Sequence, residues 1–165
     1  MPAVRRALRA ARAVLAESVA RRLPRVATLS PMTSVVSLLR SSSLADTPYA
    51  YAASVPPSSR LLFMAGACPL RADGSTAAPG DHADQARVCL DNLEQALADA
   101  GATLTDVVST RVLVVAIMRA DLVSTWDVVS QRFGEHDVPS TLVGVSLLGY
   151  PDQLVEIEAV AAVVD

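Results

Sequence analysis

The sequence predicts an α+β sandwich with the element order β-β-α-β-α-β-β. Two stretches repeat apolar residues at the helical period, and five short runs are β-branched or alternate with a period of two. Two helices cover only one face of such a sheet, which gives one helical layer on one sheet layer. A length of 165 residues sets one compact domain as the expectation.

Tyr49 to Ser54 alternates aromatic and small residues and reads as a short strand. Pro56-Pro57-Ser58-Ser59 turns the chain. Arg60 to Gly66 is an apolar run of strand length, closed by Gly66 and Pro69. Residues 72–80 form a loop. The clearest helix spans Asp81 to Ala100. Asp81 suits its N-cap, and Asp84 puts favourable charge in the first turn. Ala86, Leu90, Leu93, Leu97 and Ala100 make its core stripe, and Gly101 suits the left-handed residue at its end. Thr103 and Asp106 have capping-box spacing.

Val107 to Ala116 is a β-branched strand with Val108, Thr110, Val112 and Val114 on one face. A second helix, Asp121 to Phe133, carries Leu122, Trp126, Val129 and Phe133 at helical spacing and stops at Gly134. Val138 to Leu148 is a strand with Thr141, Val143, Val145 and Leu147 on one face and Ser140, Leu142, Gly144 and Ser146 on the other. Leu154 to Val164 sets Val155, Ile157, Ala159, Ala161 and Val163 against Leu154, Glu156, Glu158, Val160 and Ala162. The sheet face left bare is too apolar for free water and too polar for a monomer core. A homo-oligomer is expected, its sheets meeting across an interface that leaves polar clefts.

Charge divides the chain. Residues 1–40 hold eight arginines and one acid, whereas the remainder holds six arginines and sixteen acids. The acidic body argues against nucleic acid as a partner, because phosphate contacts need a concentrated positive face. Val4, Leu8, Ala11, Leu15 and Val19 form an amphipathic stripe beside Arg5, Arg9 and Arg12, ending at Pro24. Residues 1–40 are a basic leader or a mis-called start, with Met32 as the alternative to Met1. Residues 41–165 are the domain, opened by a polar linker over 41–48. The leader also fits an organelle transit peptide within residues 1–31 or a surface for anionic lipid. Without such targeting the expected location is cytoplasmic. No apolar run reaches the about 18 residues needed to cross a bilayer.

Composition excludes several chemistries. Hydrophobic residues make up 52%, which excludes a disordered chain. Lysine is absent, so Schiff-base and phosphate-loop lysines are excluded. Two cysteines and two histidines leave little for a structural zinc site. There is no G-x-S-x-G elbow for a Ser-His-Asp triad and no G-x-G-x-x-G loop.

Glu156 and Glu158 share one strand face about 7 Å apart. A partly buried carboxylate is a general acid or base near neutral pH; the bland alternative is a pair of rim residues, solvated or matched to arginines. Cys68 has no neighbouring cation in sequence to activate it and reads as a small buried residue, as does Cys89. His82 reads as a helix-end residue, and His136 as an exposed loop residue or a ligand-orienting one. Trp126 reads as core.

The body resembles the RidA (YjgF) family over roughly 47–164. The resemblance is carried by Pro48-Tyr49-Ala50, by Leu62-Phe63-Met64-Ala65-Gly66-Ala67-Cys68-Pro69-Leu70, and by Gln85-Ala86-Arg87 with Leu90-Asp91-Asn92-Leu93. It continues through Ala100-Gly101-Ala102, Asp106-Val107-Val108, Phe133-Gly134-Glu135-His136 and Leu154-Val155-Glu156-Ile157-Glu158-Ala159-Val160-Ala161. It implies a chorismate-mutase-like subunit, a homotrimer with ligand clefts between subunits, and hydrolysis of reactive enamines and imines to carbonyl products and ammonia, a metabolite detoxification. It implies no metal or organic cofactor and a small-molecule metabolite as partner. By position, Tyr49 is implied to line the cleft, Gly66 to face the ligand with its backbone, and Glu156 to hold the attacking water. Ala67, Ser140, Thr141 and Leu142 complete the implied substrate-binding set.

One position departs. The deaminases of the family carry arginine where this chain has Ser140, and a cysteine where it has Leu142. A serine does not neutralise a carboxylate, and exchanging a charge-assisted two-pronged contact for a neutral one costs on the order of 2 kcal/mol. The chain therefore resembles an arginine-lacking branch, better suited to an imine or enamine without a carboxylate or to a related carbonyl metabolite. A cation replacing the arginine would come from Arg132 or Arg119 of a neighbouring chain. The competing expectation is a trimer that binds a small molecule without turning it over. Ribonuclease activity, attached to some members, is disfavoured by the acidic body.

Overall fold

The computed structural model describes residues 34–164. The leader stripe and Met32 lie outside the described residues.

The elements are β1 (Ser37–Leu39), β2 (Ala52–Ser54), β3 (Arg60–Phe63), α1 (His82–Asp99), a single 3₁₀ turn (Leu104–Asp106), β4 (Val107–Val115), α2 (Arg119–Phe133), β5 (Ser140–Val145) and β6 (Val155–Val163). The α+β class holds, with one more strand at the start than expected. β1 falls within the range read as leader, and it pairs antiparallel with β2, Leu38 opposite Ala53.

The main sheet has the order β3-β6-β4-β5. β4 and β5 run parallel, Val112 opposite Leu142, and α2 makes the crossover that a parallel pair requires. The other two pairings are antiparallel. Both helices pack on one face. Ala86, Leu90, Leu93 and Leu97 of α1 and Val129 and Phe133 of α2 close over Val112, Val114, Val155, Ile157, Ala159 and Ala161. The expected α1 stripe is the observed core from Ala86 to Leu97, while Ala100 is the half-buried C-cap; the Asp81 carboxylate accepts from the Asp84 N–H, and Gly101 has φ +79°.

Several details differ from the sequence reading: β3 ends at Phe63 rather than Gly66, and β5 spans Ser140–Val145 rather than the whole of 138–148. On β4 the register shifts between Val107 and Ser109, so Val107 rather than Val108 joins Thr110, Val112 and Val114 in the core. β2 is shorter than expected, starting at Ala52; ahead of it the Ala50 N–H bonds the Asp137 carbonyl rather than a strand partner. Both histidines are structural ties to β4: a ring nitrogen of His82 bonds the Val115 carbonyl (2.9 Å) and one of His136 the Val107 carbonyl (2.8 Å).

Arg132 of α2 clamps α1 through Glu94 (2.6 Å) and Asp91 (2.9 Å), contacts that hold its charge more firmly than usual. Among the described residues, no helix lies over the opposite sheet face. Phe63 is 78% exposed there. Among the described residues no helix is long and apolar enough to cross a membrane.

Candidate functional site

β6 alternates. Val155, Ile157 and Ala159 face the helices, which turns Glu156 and Glu158 to the open side. Each acid then meets a different neighbourhood.

Glu156 meets the segment that follows β3. Ala67 and Ile157 exchange backbone hydrogen bonds of 2.8 and 3.1 Å, which draws residues 66–68 alongside β6. Gly66 is thereby pressed against the Glu156 side chain: a Cβ there would stand 2.1 Å from Oε1 and 2.9 Å from Cγ. The other carboxylate oxygen, Oε2, accepts from Gln153 Nε2 at 3.0 Å and from the Cys68 thiol at 3.5 Å. Burial, and after it the charge of Glu156, push the Cys68 thiol up to about 11. Cys68 stays protonated near neutral pH and is a donor to Glu156, not a nucleophile. Cys89 is fully buried in α1.

Glu158 meets Arg111, its cross-strand partner on β4, at 3.4 Å. The pair belongs to an open cleft of ≈ 520 Å³ lined also by Tyr49, Phe63, Ser140 and Thr141. Tyr49 is held edge-on to Trp126, with ring centroids 6.2 Å apart. Its backbone is fixed by Arg40, which donates to the carbonyls of Thr47 (2.9 Å) and Tyr49 (3.3 Å) and pairs with Asp137. Trp126 is thus both core and support for the cleft aromatic.

The residues expected at the site therefore divide within one chain. Tyr49, Ser140 and Thr141 line the cleft. Gly66 and Ala67 gather around Glu156, which lies two residues along β6 from Glu158, about 7 Å. Leu142 packs toward the helices. Ser140 is tightly engaged: its hydroxyl donates to the Val138 carbonyl (3.0 Å), so the 2.7 Å contact with Thr110 is a donation from Thr110. Arg132, one cation considered as a substitute for the missing arginine, is committed to Asp91 and Glu94.

Sequence reasoning did not single out Arg111, Gln153 or the Cys68–Glu156 contact. Arg111 was detectable, since a charge between the inward Thr110 and Val112 must point to the bare face. Gln153 sits in a turn without periodicity and carried no signal.

The body of the chain is similar to known proteins. Residues 41–163 match the family model described as Endoribonuclease L-PSP. A RutC family protein of Pyrococcus abyssi is 32% identical over 114 residues, covering 69% of this chain and 85% of that protein. The crystal structure of YyfB from Yersinia pestis, described as a protein of unknown function of the conserved Rid family, superposes with a TM-score of 0.71 at 28% identity, covering 78% of this chain and 99% of that one. That of E. coli TdcF with bound serine gives 0.54 at 30% identity, covering 71% and 89%. With the family model matched over residues 41–163 and the fold shared with the Rid-family structure, this protein belongs to the Endoribonuclease L-PSP family, the RidA (YjgF) proteins.

Proposed function

We propose that this chain is a RidA-type hydrolase acting on a small reactive imine, enamine or related carbonyl metabolite. It releases ammonia from the imine or moves a proton on the carbonyl compound. The observation that carries the reading is the Glu156 carboxylate, seated against Gly66 on the bare face of the sheet. A carboxylate held there suits both proton transfers of imine hydrolysis. Water adds to the imine carbon, the C=N electron pair goes to nitrogen, and ammonia leaves as the carbonyl forms.

The site is taken to complete itself between subunits of a homotrimer. The exposed apolar side chains of the bare face, Leu61, Phe63 and Val143, support an assembly that covers them. In that reading residues 41–165 are the catalytic domain. The serine at position 140 supports a substrate without a carboxylate, because Ser140 spends its proton on Val138 and the nearby Arg111 is drawn to Glu158. RNA is disfavoured by a cleft in which, among the described residues, Arg111 is the one cation and Glu158 faces it.

Ammonia release from a panel of imines with and without a carboxylate tests this, with Glu156→Gln as control. Turnover in the wild type, lost in the variant, supports the enzyme. The binding-only alternative draws on the E. coli TdcF structure, which is described with bound serine. It predicts retention of a small molecule by both proteins with no ammonia from either.

A further inference from the structure

We propose that Gln153 is the positioning residue of this site: with the Cys68 thiol it holds Oε2 of Glu156, so that Oε1, over Gly66, is the oxygen that handles water. The inference rests on the reading of Glu156 as the working carboxylate.

Gln153 is 4% exposed and lies in the turn just ahead of β6. Its whole amide is spoken for. Oε1 accepts from the Tyr150 N–H (3.0 Å), while Nε2 donates to the Val155 carbonyl (3.2 Å) and to Glu156 (3.0 Å). Rotating such a group would strand buried polar atoms, each costly to leave unpaired, so the donor is rigid. The Tyr150 N–H also decides the orientation of the amide, since a nitrogen facing it would set donor against donor.

Oε2 thus takes two donors, Gln153 and Cys68. Among the described residues no donor reaches Oε1, and Oε1 is the atom that a methyl on Gly66 would strike. The division of labour follows from this arrangement. Oε1 takes a proton from water as the water oxygen bonds the imine carbon, and hands it to the nitrogen that receives the C=N pair. The hydroxyl proton of the resulting carbinolamine takes the same route as the C–N bond breaks and ammonia departs. Nothing is oxidised or reduced, and Glu156 ends as it began.

Cys68 is a built-in reporter of where Glu156 sits, because the charge of Glu156 helps to keep the thiol protonated up to about 11. The test is the pH profile of Cys68 alkylation by iodoacetamide, read at that residue by mass spectrometry, in the wild type, Glu156→Gln and Gln153→Leu. Glu156→Gln sets the scale for loss of the charge. Gln153→Leu frees the carboxylate to swing away, which moves the midpoint down toward that of Glu156→Gln. Losing the amide's own lowering effect on the thiol opposes this, but it is the smaller influence, so the net change in this variant is a fall. In imine hydrolysis its kcat drops by about 10- to 100-fold while KM changes far less. Gln153→Met, similar in volume and without the donor, serves if the leucine variant does not fold. A folded variant whose Cys68 midpoint stays at the wild-type value or rises overturns the proposal, as does a Glu156→Gln midpoint that does not fall. Alkylation needs no turnover, so a wild type that hydrolyses no imine defeats the functional reading while the midpoint still judges Gln153.

Discussion

Gly66 and Glu156 share one space: a side chain on the first would stand 2.1 Å from Oε1 of the second. The conflict is with a side chain rather than with backbone, so the carboxylate is what gives way. Gly66→Ala is expected to fold, losing about 1–2 kcal/mol as Glu156 is displaced, and to lose ammonia release as completely as Glu156→Gln. Urea unfolding and the ammonia assay, run on the same preparation, measure the two effects separately. Wild-type turnover in Gly66→Ala would remove this contact from the mechanism.

Ser140→Arg places a guanidinium in a cleft whose own arginine is drawn to Glu158 at 3.4 Å. The new cation has no acid assigned to it and is free for a planar carboxylate. The expected result is a kcat/KM gain of about tenfold, worth about 1.4 kcal/mol, confined to carboxylate-bearing imines. An equal gain on neutral imines would show that charge recognition is not what position 140 controls. Some stability is lost, because Thr110 gives up its 2.7 Å partner.

The helices were legible in the sequence because their signals are local. The stripe from Ala86 to Leu97 and the cap at Asp81 lie within a few turns of one another. β1 was not: three residues beside an arginine-rich stretch show no period, and Ser37 becomes a strand only on meeting Ser54. The shift in register on β4 was hidden for a related reason, since alternation counted back from Val114 reaches Val108, whereas the irregularity puts Val107 inside. Glu156 stood out by its place on β6. Its holders did not: Cys68 lies 88 residues away, brought near only by the bridge between Ala67 and Ile157. A contact of that separation follows from topology, and topology follows from sheet order, which no single strand encodes.

Phe63 is 78% exposed on the face that carries Glu158, beside the open cleft. If identical subunits cover this face, a charge there is desolvated without a partner, which costs several kcal/mol. Phe63→Glu is expected to give lone protomers in sedimentation velocity, helical by circular dichroism and without turnover. A variant that keeps the wild-type mass would place the subunit contact elsewhere.

Asp121 tests the pH response of the fold. One of its oxygens, Oδ2, accepts from the backbone N–H groups of Met118 and Ile117, both at 3.0 Å, at the entry to α2. These bonds favour the ionised form and draw its pKa below the ordinary 3.8. A carboxyl depressed on folding adds stability above its unfolded pKa and surrenders it as pH falls through the folded value. Asp121→Asn keeps a neutral acceptor and removes the charge, imitating the protonated acid. The urea midpoint of the variant should therefore lie below that of the wild type at neutral pH, with the gap closing as acid titrates Asp121. Because the carboxylate is open to solvent, the gap is expected to be small and to shrink with added salt. A gap unchanged from neutral to acid pH would mean that the amide fits the turn badly, and that charge has no part in starting α2.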